Sequence, residues 1–341
     1  MDNILNKKEC GWKNLNDSEM NKVLDFSDGY IKFLNRSKTE REANKNIISE
    51  LQEKGFKDIN SVDSLKPLDK VYFNNRGKSV FAAVVGSEKV ENGLNIVGAH
   101  IDSPRLDLKP NPVYEDSKLA LFKTHYYGGI KKYQWTTIPL AIHGVIVKTT
   151  GEKIYINIGE DDNDPIFTIT DLLPHLAQKQ NEKKLSEAVE GESLNLLVGS
   201  IPNDEKEEPI KKNILKLLNG KYGINEIDFY SSEIEIVPAF KARSLGFDNS
   251  MVASYGQDDR VCAYGTLKAI VDCTTTEYTN VAIFADKEEI GSVGNTGMYS
   301  EMFDNFIHTL LEKTGCASPS SLNRTYCNSR MLSADVGAGV D

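Results

Sequence analysis

The run VAIFA, residues 281–285, is apolar at every position and stops abruptly at DKEEIGSVGN. An apolar run without alternation is a strand buried on both faces, and such a strand needs helices covering the sheet above and below. The surrounding sequence supplies them. RVCAYGTLKAIVDC (260–273) and EMFDNFIHTLLEK (301–313) space their apolar residues as helices. Residues 18–34 and 39–54 carry two more helical patterns, the second closed by Gly55. SVFAAVVG (79–86) and GLNIVGAH (93–100) read as neighbouring strands of one sheet across a polar, glycine-containing turn. The outer segments therefore predict an α/β fold built on a sheet flanked by helices.

The middle of the chain has a different texture. TIPLAIHGVIVKT and EKIYINIG are short β-like pieces, followed by stretches rich in acid and lysine at 178–192 and 203–212. This pattern predicts a separate, partly β lobe inserted into the main domain, with strand character returning at EIEIVPAF (233–240). At 341 residues and 40% apolar content the chain has ample material for a buried core. A formal charge of −10, with lysines interspersed among acids, argues against a nucleic-acid surface. No apolar run approaches the ~18 residues of a membrane span and the first residues turn polar at once, so no membrane role and a cytoplasmic location are expected. Five cysteines without a C-x-x-C pair read as reduced thiols.

Polar residues collect where the apolar runs end: His100 and Asp102 in VGAHIDSPR, Asp258 and Asp259 in YGQDDRVCAYG, Glu288 and Glu289 in ADKEEIGS, and Asp335 in MLSADVGAG. In α/β sheets a site forms beyond the carboxyl ends of the strands, so these four groups can meet. Residues two apart on a strand share a face, which lets Asp102 support one imidazole nitrogen of His100 while the other binds a metal; a purely structural hydrogen bond is the alternative. Asp258 and Asp259 precede a helix, where one acid suffices as a cap and a second carboxylate is free to bridge two metals. Glu288 and Glu289 are expected to divide labour as metal ligand and general base, the alternative being a solvated turn beside Lys287. Asp335 alone reads as a turn residue. Together the set suits Zn²⁺, Co²⁺ or Mn²⁺ in a two-metal centre with ions ~3.5–4 Å apart.

GAHIDSPRLDLKP, GQDDRVCAYG, DKEEIGSVGNTGM and LSADVGAG, in this order, resemble the aspartyl aminopeptidase and vacuolar aminopeptidase I family of dinuclear zinc exopeptidases, over nearly the whole chain. The resemblance implies that His100 and Asp335 bind one zinc, Glu289 the other, and Asp258 bridges them. It further implies Glu288 as general base and Asp102 as the residue orienting His100, in an aminopeptidase that removes the N-terminal residue of peptides through a water activated by two metal ions and a glutamate. The implied architecture is a mixed-sheet metallopeptidase domain from 1–105 and 238–341, interrupted by a β-rich dimerisation lobe at 106–237, with dimers assembling into a dodecamer. His175, in a segment resembling one that reaches a neighbouring subunit's site, is a candidate substrate contact, against packing or capping in a short helix. His308 reads as a surface or packing residue of an amphipathic helix, and His125 and His143 as structural.

Two departures stand out. The family's metal set ends with a histidine well beyond Asp335, which this sequence does not contain, so the expectation is a chain shortened relative to full members, with the second metal one ligand short. YYGGIKKYQWTTIPLAIHG also differs from the pattern of acidic-residue-specific members, which leaves the preferred N-terminal residue open. Two rival readings remain at this stage: a dinuclear amidase or deacylase of N-acyl amino acids, and a non-catalytic assembly or cargo homologue.

Overall fold

The computed structural model describes residues 10–339. It opens with two helices, α1 (Asp17–Arg36) and α2 (Glu40–Glu53), each started by a reciprocal capping box, Asn16 with Glu19 and Thr39 with Glu42. Strands β1 (Lys57–Asp58), β2 (Lys70–Asn75), β3 (Ser79–Val84) and β4 (Leu94–His100) follow. The chain then builds β5 (Arg105–Asp116), β6 (Leu119–Tyr127), β7 (Leu140–Val147) and β8 (Lys153–Ile158). Two single-turn helices, α3 (Gln178–Asn181) and α4 (Leu185–Ala188), precede β9 (Leu196–Gly199), α5 (Pro209–Tyr222) and β10 (Ser232–Pro238). A hairpin of β11 (Arg243–Leu245) and β12 (Met251–Ala253) leads into α6 (Gln257–Val271), β13 (Thr279–Ala285), α7 (Met302–Lys313), α8 (Ser321–Asn328) and β14 (Arg330–Ser333).

The first sheet runs β1-β2-β3-β13-β4-β14 and is mixed: β13 pairs parallel with β4 and antiparallel with β3. Every residue of β3 is buried, and β13 exposes none. The two faces explain why. On one face Val80, Ala82 and Phe284 pack against Phe33, Ile47 and Leu51 of α1 and α2 and against Tyr264 and Leu267 of α6. On the other, Phe81, Ile96 and Ile283 meet Phe306, Ile307 and Leu310 of α7. Helices thus cover the sheet on both sides, as the unalternating apolar run requires.

One expectation is corrected. β3 and β4 belong to the same sheet but are not neighbours, because β13 lies between them. A fully apolar strand needs a bonded partner on each edge, and β13 finds them by entering between two strands that precede it by almost two hundred residues.

The second sheet, β8-β7-β10-β5-β6-β9, is antiparallel throughout. Its core gathers Leu106, Phe122, Leu140, Ile142, Phe229 and Ile236, with Ile214 and Leu218 of α5 packed against it.

Candidate metal centre

The parallel part of the first sheet positions the site. Ala285 at the end of β13 lies opposite His100 at the end of β4, and Ser333 of β14 lies opposite Gly98. Three strands therefore release their next residues at one edge. β4 delivers His100 itself, β13 is followed by Glu288 and Glu289, and β14 by Asp335. The fourth contribution comes from α6, where Asp258 and Asp259 have non-helical backbone angles ahead of the continuous helix.

His100 is the meeting point and is 4% exposed. Its Nδ1 lies 3.0 Å from the backbone oxygen of Asp102 and 3.4 Å from Asp102 Oδ1. The two acceptors hold a proton on Nδ1 and aim Nε2 at the acids. Nε2 lies 3.2 Å from Asp258 Oδ1, 3.8 Å from Glu288 Oε2 and 3.9 Å from Asp335 Oδ1. Donor atoms of His100, Asp258 and Glu289 all fall within 4.8 Å of one another, and so do those of His100, Asp259 and Asp335.

Glu288 and Glu289 do not continue β13. They occupy a single 3₁₀ turn, Glu288–Ile290, entered through Lys287 at φ 68° and left through Gly291 at φ 82°. A strand would send adjacent side chains to opposite faces; here the three residues per turn of a 3₁₀ helix separate them by about 120° instead. Gly128 approaches from β6: its φ is +70°, and a Cβ added there would sit 3.2 Å from Glu289 Cβ.

The electrostatics show a cluster short of positive charge. Burial, reinforced by the carboxylates of Asp258, Asp102 and Glu288, pushes Glu289 up to about 7. Burial opposes charge on His100, yet the Asp102 hydrogen bond and the surrounding acids outweigh it and push the imidazole up to about 9. Asp102 is fully buried, but its donors, chiefly His100 and Tyr127, hold its carboxyl below the usual range against that burial. Tyr127 donates to Asp102 Oδ2 at 2.7 Å, and burial with the adjacent carboxylate keeps its phenol protonated far above neutrality.

Asp259 carries the test of whether a metal belongs here. It is 0% exposed, and neither carboxyl oxygen closes a hydrogen bond of ordinary geometry. Burial raises its pKa, with the Cys262 thiol and the His100 backbone pulling the other way. An orphaned buried carboxyl whose donor atom converges with those of His100 and Asp335 fits a cation, and a set of one imidazole and several carboxylates suits zinc. The sequence left open which of Asp258 and Asp259 caps the helix; no side-chain capping bond is present at the start of α6. Tyr127 was not anticipated at all.

The remaining histidines lie elsewhere. His175 is exposed on the turn at 174–176, and among the described residues no hydrogen bond or ion pair joins it to the cluster. His308 is exposed on α7. His143 is buried between Glu42 Oε1 and Glu160 Oε1, at 2.8 and 3.0 Å, and His125 stacks on Tyr126.

A sequence profile described as aminopeptidase I zinc metalloprotease (M18) matches residues 33–341. A probable M18 family aminopeptidase 1 of Clostridium acetobutylicum is 48% identical over 344 aligned residues, covering 99% of this chain and 74% of the relative. The crystal structure of an M18-family aminopeptidase from Thermotoga maritima superposes with a TM-score of 0.94 at 44% identity, covering 99% of this chain and 74% of that one. The dodecamer-forming mApe1 of S. cerevisiae shares the fold at 19% identity and TM-score 0.73, covering 94% and 73% of the two chains.

Proposed function

This chain belongs to the M18 family of aminopeptidase I zinc metalloproteases and is a metal-dependent aminopeptidase, and from that premise we propose how its residues divide the reaction. His100, Asp258, Glu289 and Asp335 are the residues that would hold zinc. Asp259, buried behind the same imidazole, joins or supports the Asp335 side. Zinc bound there supplies Lewis acidity toward a peptide carbonyl and lowers the pKa of water.

The chain's own groups do the rest. Glu288 is the general base: its carboxylate is half exposed and its Oε2 lies 3.8 Å from Nε2 of His100, which leaves it open to solvent beside the ligand set. There it takes a proton from the attacking water and returns it to the leaving amine at the same oxygen. Asp102 keeps the His100 proton on Nδ1. The observation that carries this reading is the convergence of three strand ends and one helix start on a single imidazole.

Zinc analysis together with hydrolysis of dipeptides and of N-acyl amino acids tests it. Release of the N-terminal residue by the zinc-loaded protein is the expected result. Cleavage of N-acyl substrates alone would favour the deacylase reading, and no hydrolysis of either would remove the assignment.

The division into a metallopeptidase domain, 1–105 and 238–341, and a dimerisation lobe, 106–237, is part of the proposal. The second sheet supports it, since its strands lie between Arg105 and Pro238. Self-association into dimers and then a dodecamer follows from the resemblance, and light scattering is the direct check. A cytoplasmic location is proposed on the free state of Cys10, Cys262, Cys273, Cys316 and Cys327. Among the described residues no helix is long and apolar enough to cross a membrane.

A further inference from the structure

The Asp102 carboxylate does more than face His100. Its Oδ2 accepts the Tyr127 hydroxyl at 2.7 Å and the Glu289 backbone N–H at 3.2 Å, while Oδ1 accepts the Glu288 backbone N–H at 3.2 Å. The first N–H groups of any helical turn lack partners within it. Here they are satisfied by an acid from the loop after β4, almost two hundred residues earlier, that is itself fully buried. Tyr127 is the last residue of β6, in the second sheet. Its ring is held from the far side by Arg105, whose guanidinium carbon lies 3.8 Å from the ring centroid. The next residue, Gly128, lies close to Glu289: a Cβ added there would come 3.4 Å from Glu289 Oε2.

We propose that Tyr127 is a positioning residue for the peptidase reaction: through Asp102 it holds the Glu288–Glu289 turn, so that the second sheet sets where the base and the metal ligand stand. The proposal rests on the roles given to these glutamates above. Loss of the hydroxyl leaves Asp102 one donor short, and the carboxylate is then free to swing between His100 and the two amides.

The variant to make is Tyr127→Phe, which keeps the ring under Arg105 and removes only the donor. Amide hydrogen exchange of the metal-free protein should show the Glu288 and Glu289 amides exchanging at least tenfold faster, with β3 and β4 unchanged. In the zinc-loaded protein kcat should fall about tenfold, the lower end of the scale for groups behind the ligands because Tyr127 reaches them only through Asp102, with KM within about twofold. Tyr126→Phe, altering an exposed neighbour, should change neither quantity. If Tyr127→Phe does not accumulate in folded form, Asp102→Asn reads the same two amides. Unchanged exchange at Glu288 and Glu289, or a kcat equal to that of the parent protein at equal zinc content, would overturn the proposal. A parent protein without peptidase activity would instead sink the functional reading, and the exchange data alone would still decide whether Tyr127 holds the turn.

Discussion

Two acid-rich clusters of this molecule handle charge differently, one sealed in the interior and one whose mostly half-exposed acids surround a buried imidazole. Between α2, β3, β5 and β10, Glu40 and Glu235 are almost fully buried, at 0% and 2% exposure. Lys78 Nζ lies 2.9 Å from Glu40, and Arg105 lies 3.4 Å from Glu40, 3.3 Å from Glu235 and 2.8 Å from Asp107. Burial works against charge on Glu40, but Arg105 and Lys78 outweigh it and hold the carboxyl far below its usual range. Glu235 shares the same Arg105, while burial pushes its carboxyl well above the usual range. Around His100, by contrast, Asp258, Asp259, Glu288, Glu289 and Asp335 face one imidazole, and among the described residues no lysine or arginine pairs with any of them. Where the chain brings its own cations, acids are architecture. Where it does not, the acids call for a cation from outside.

That contrast can be broken at either cluster. The largest effect is expected at the site: Glu288→Gln should retain zinc yet lose at least 10²-fold in kcat, the lower end of general-base contributions. Turnover equal to the parent would remove Glu288 as the base. Next comes Lys78→Met, which strips buried Glu40 of the cation 2.9 Å away. Breaking a buried ion pair from one side costs about 3–5 kcal/mol, so the denaturant midpoint should drop sharply while zinc content per folded chain holds. A parallel loss of zinc would merge the two clusters into one functional unit. Glu289→Ala should do the reverse, weakening zinc binding at least as much as the 10–100-fold usual for a group one layer further out, with stability of the metal-free protein little changed. Elemental analysis showing full zinc would take Glu289 out of the ligand set.

The smallest effect sharpens the architectural side. Burial opposes charge on His143, but Glu160 and Glu42 outweigh it and push it up to about 9, above the 6.5 of an unfolded histidine. Its pairing therefore stabilises the fold fully below pH ~6.5, and that contribution disappears as pH rises through about 9. The thermal-midpoint gap between the parent and His143→Gln should be widest near pH ~6 and close by pH ~10. A gap that widens with pH would contradict the assignment.

Element types were legible because burial writes itself into local periodicity. The helical pattern at 18–34 becomes α1, Asp17–Arg36, and the apolar run at 281–285 becomes the end of β13. Each site motif was visible as a strand or helix end carrying an acid or a histidine. Three features were not visible. The insertion of β13 between β3 and β4 depends on pairing across a long stretch of chain. The 3₁₀ turn under Glu288 and Glu289 depends on Asp102 receiving its amides. The isolation of Asp259 depends on how many side chains close over it, which adjacency to Asp258 does not reveal.

The sequence by itself marked the candidates for the chemistry, since His100, Glu288, Glu289 and Asp335 are polar residues at or just beyond strand ends, a position that local pattern reveals. Tertiary structure alone decided that these ends face one another. The parallel pairing that sets Ala285 opposite His100 and Ser333 opposite Gly98 is a long-range choice made by packing both faces of the sheet. The same packing brings Tyr127 of the second sheet onto Asp102, a contact between two cores that no window of sequence contains.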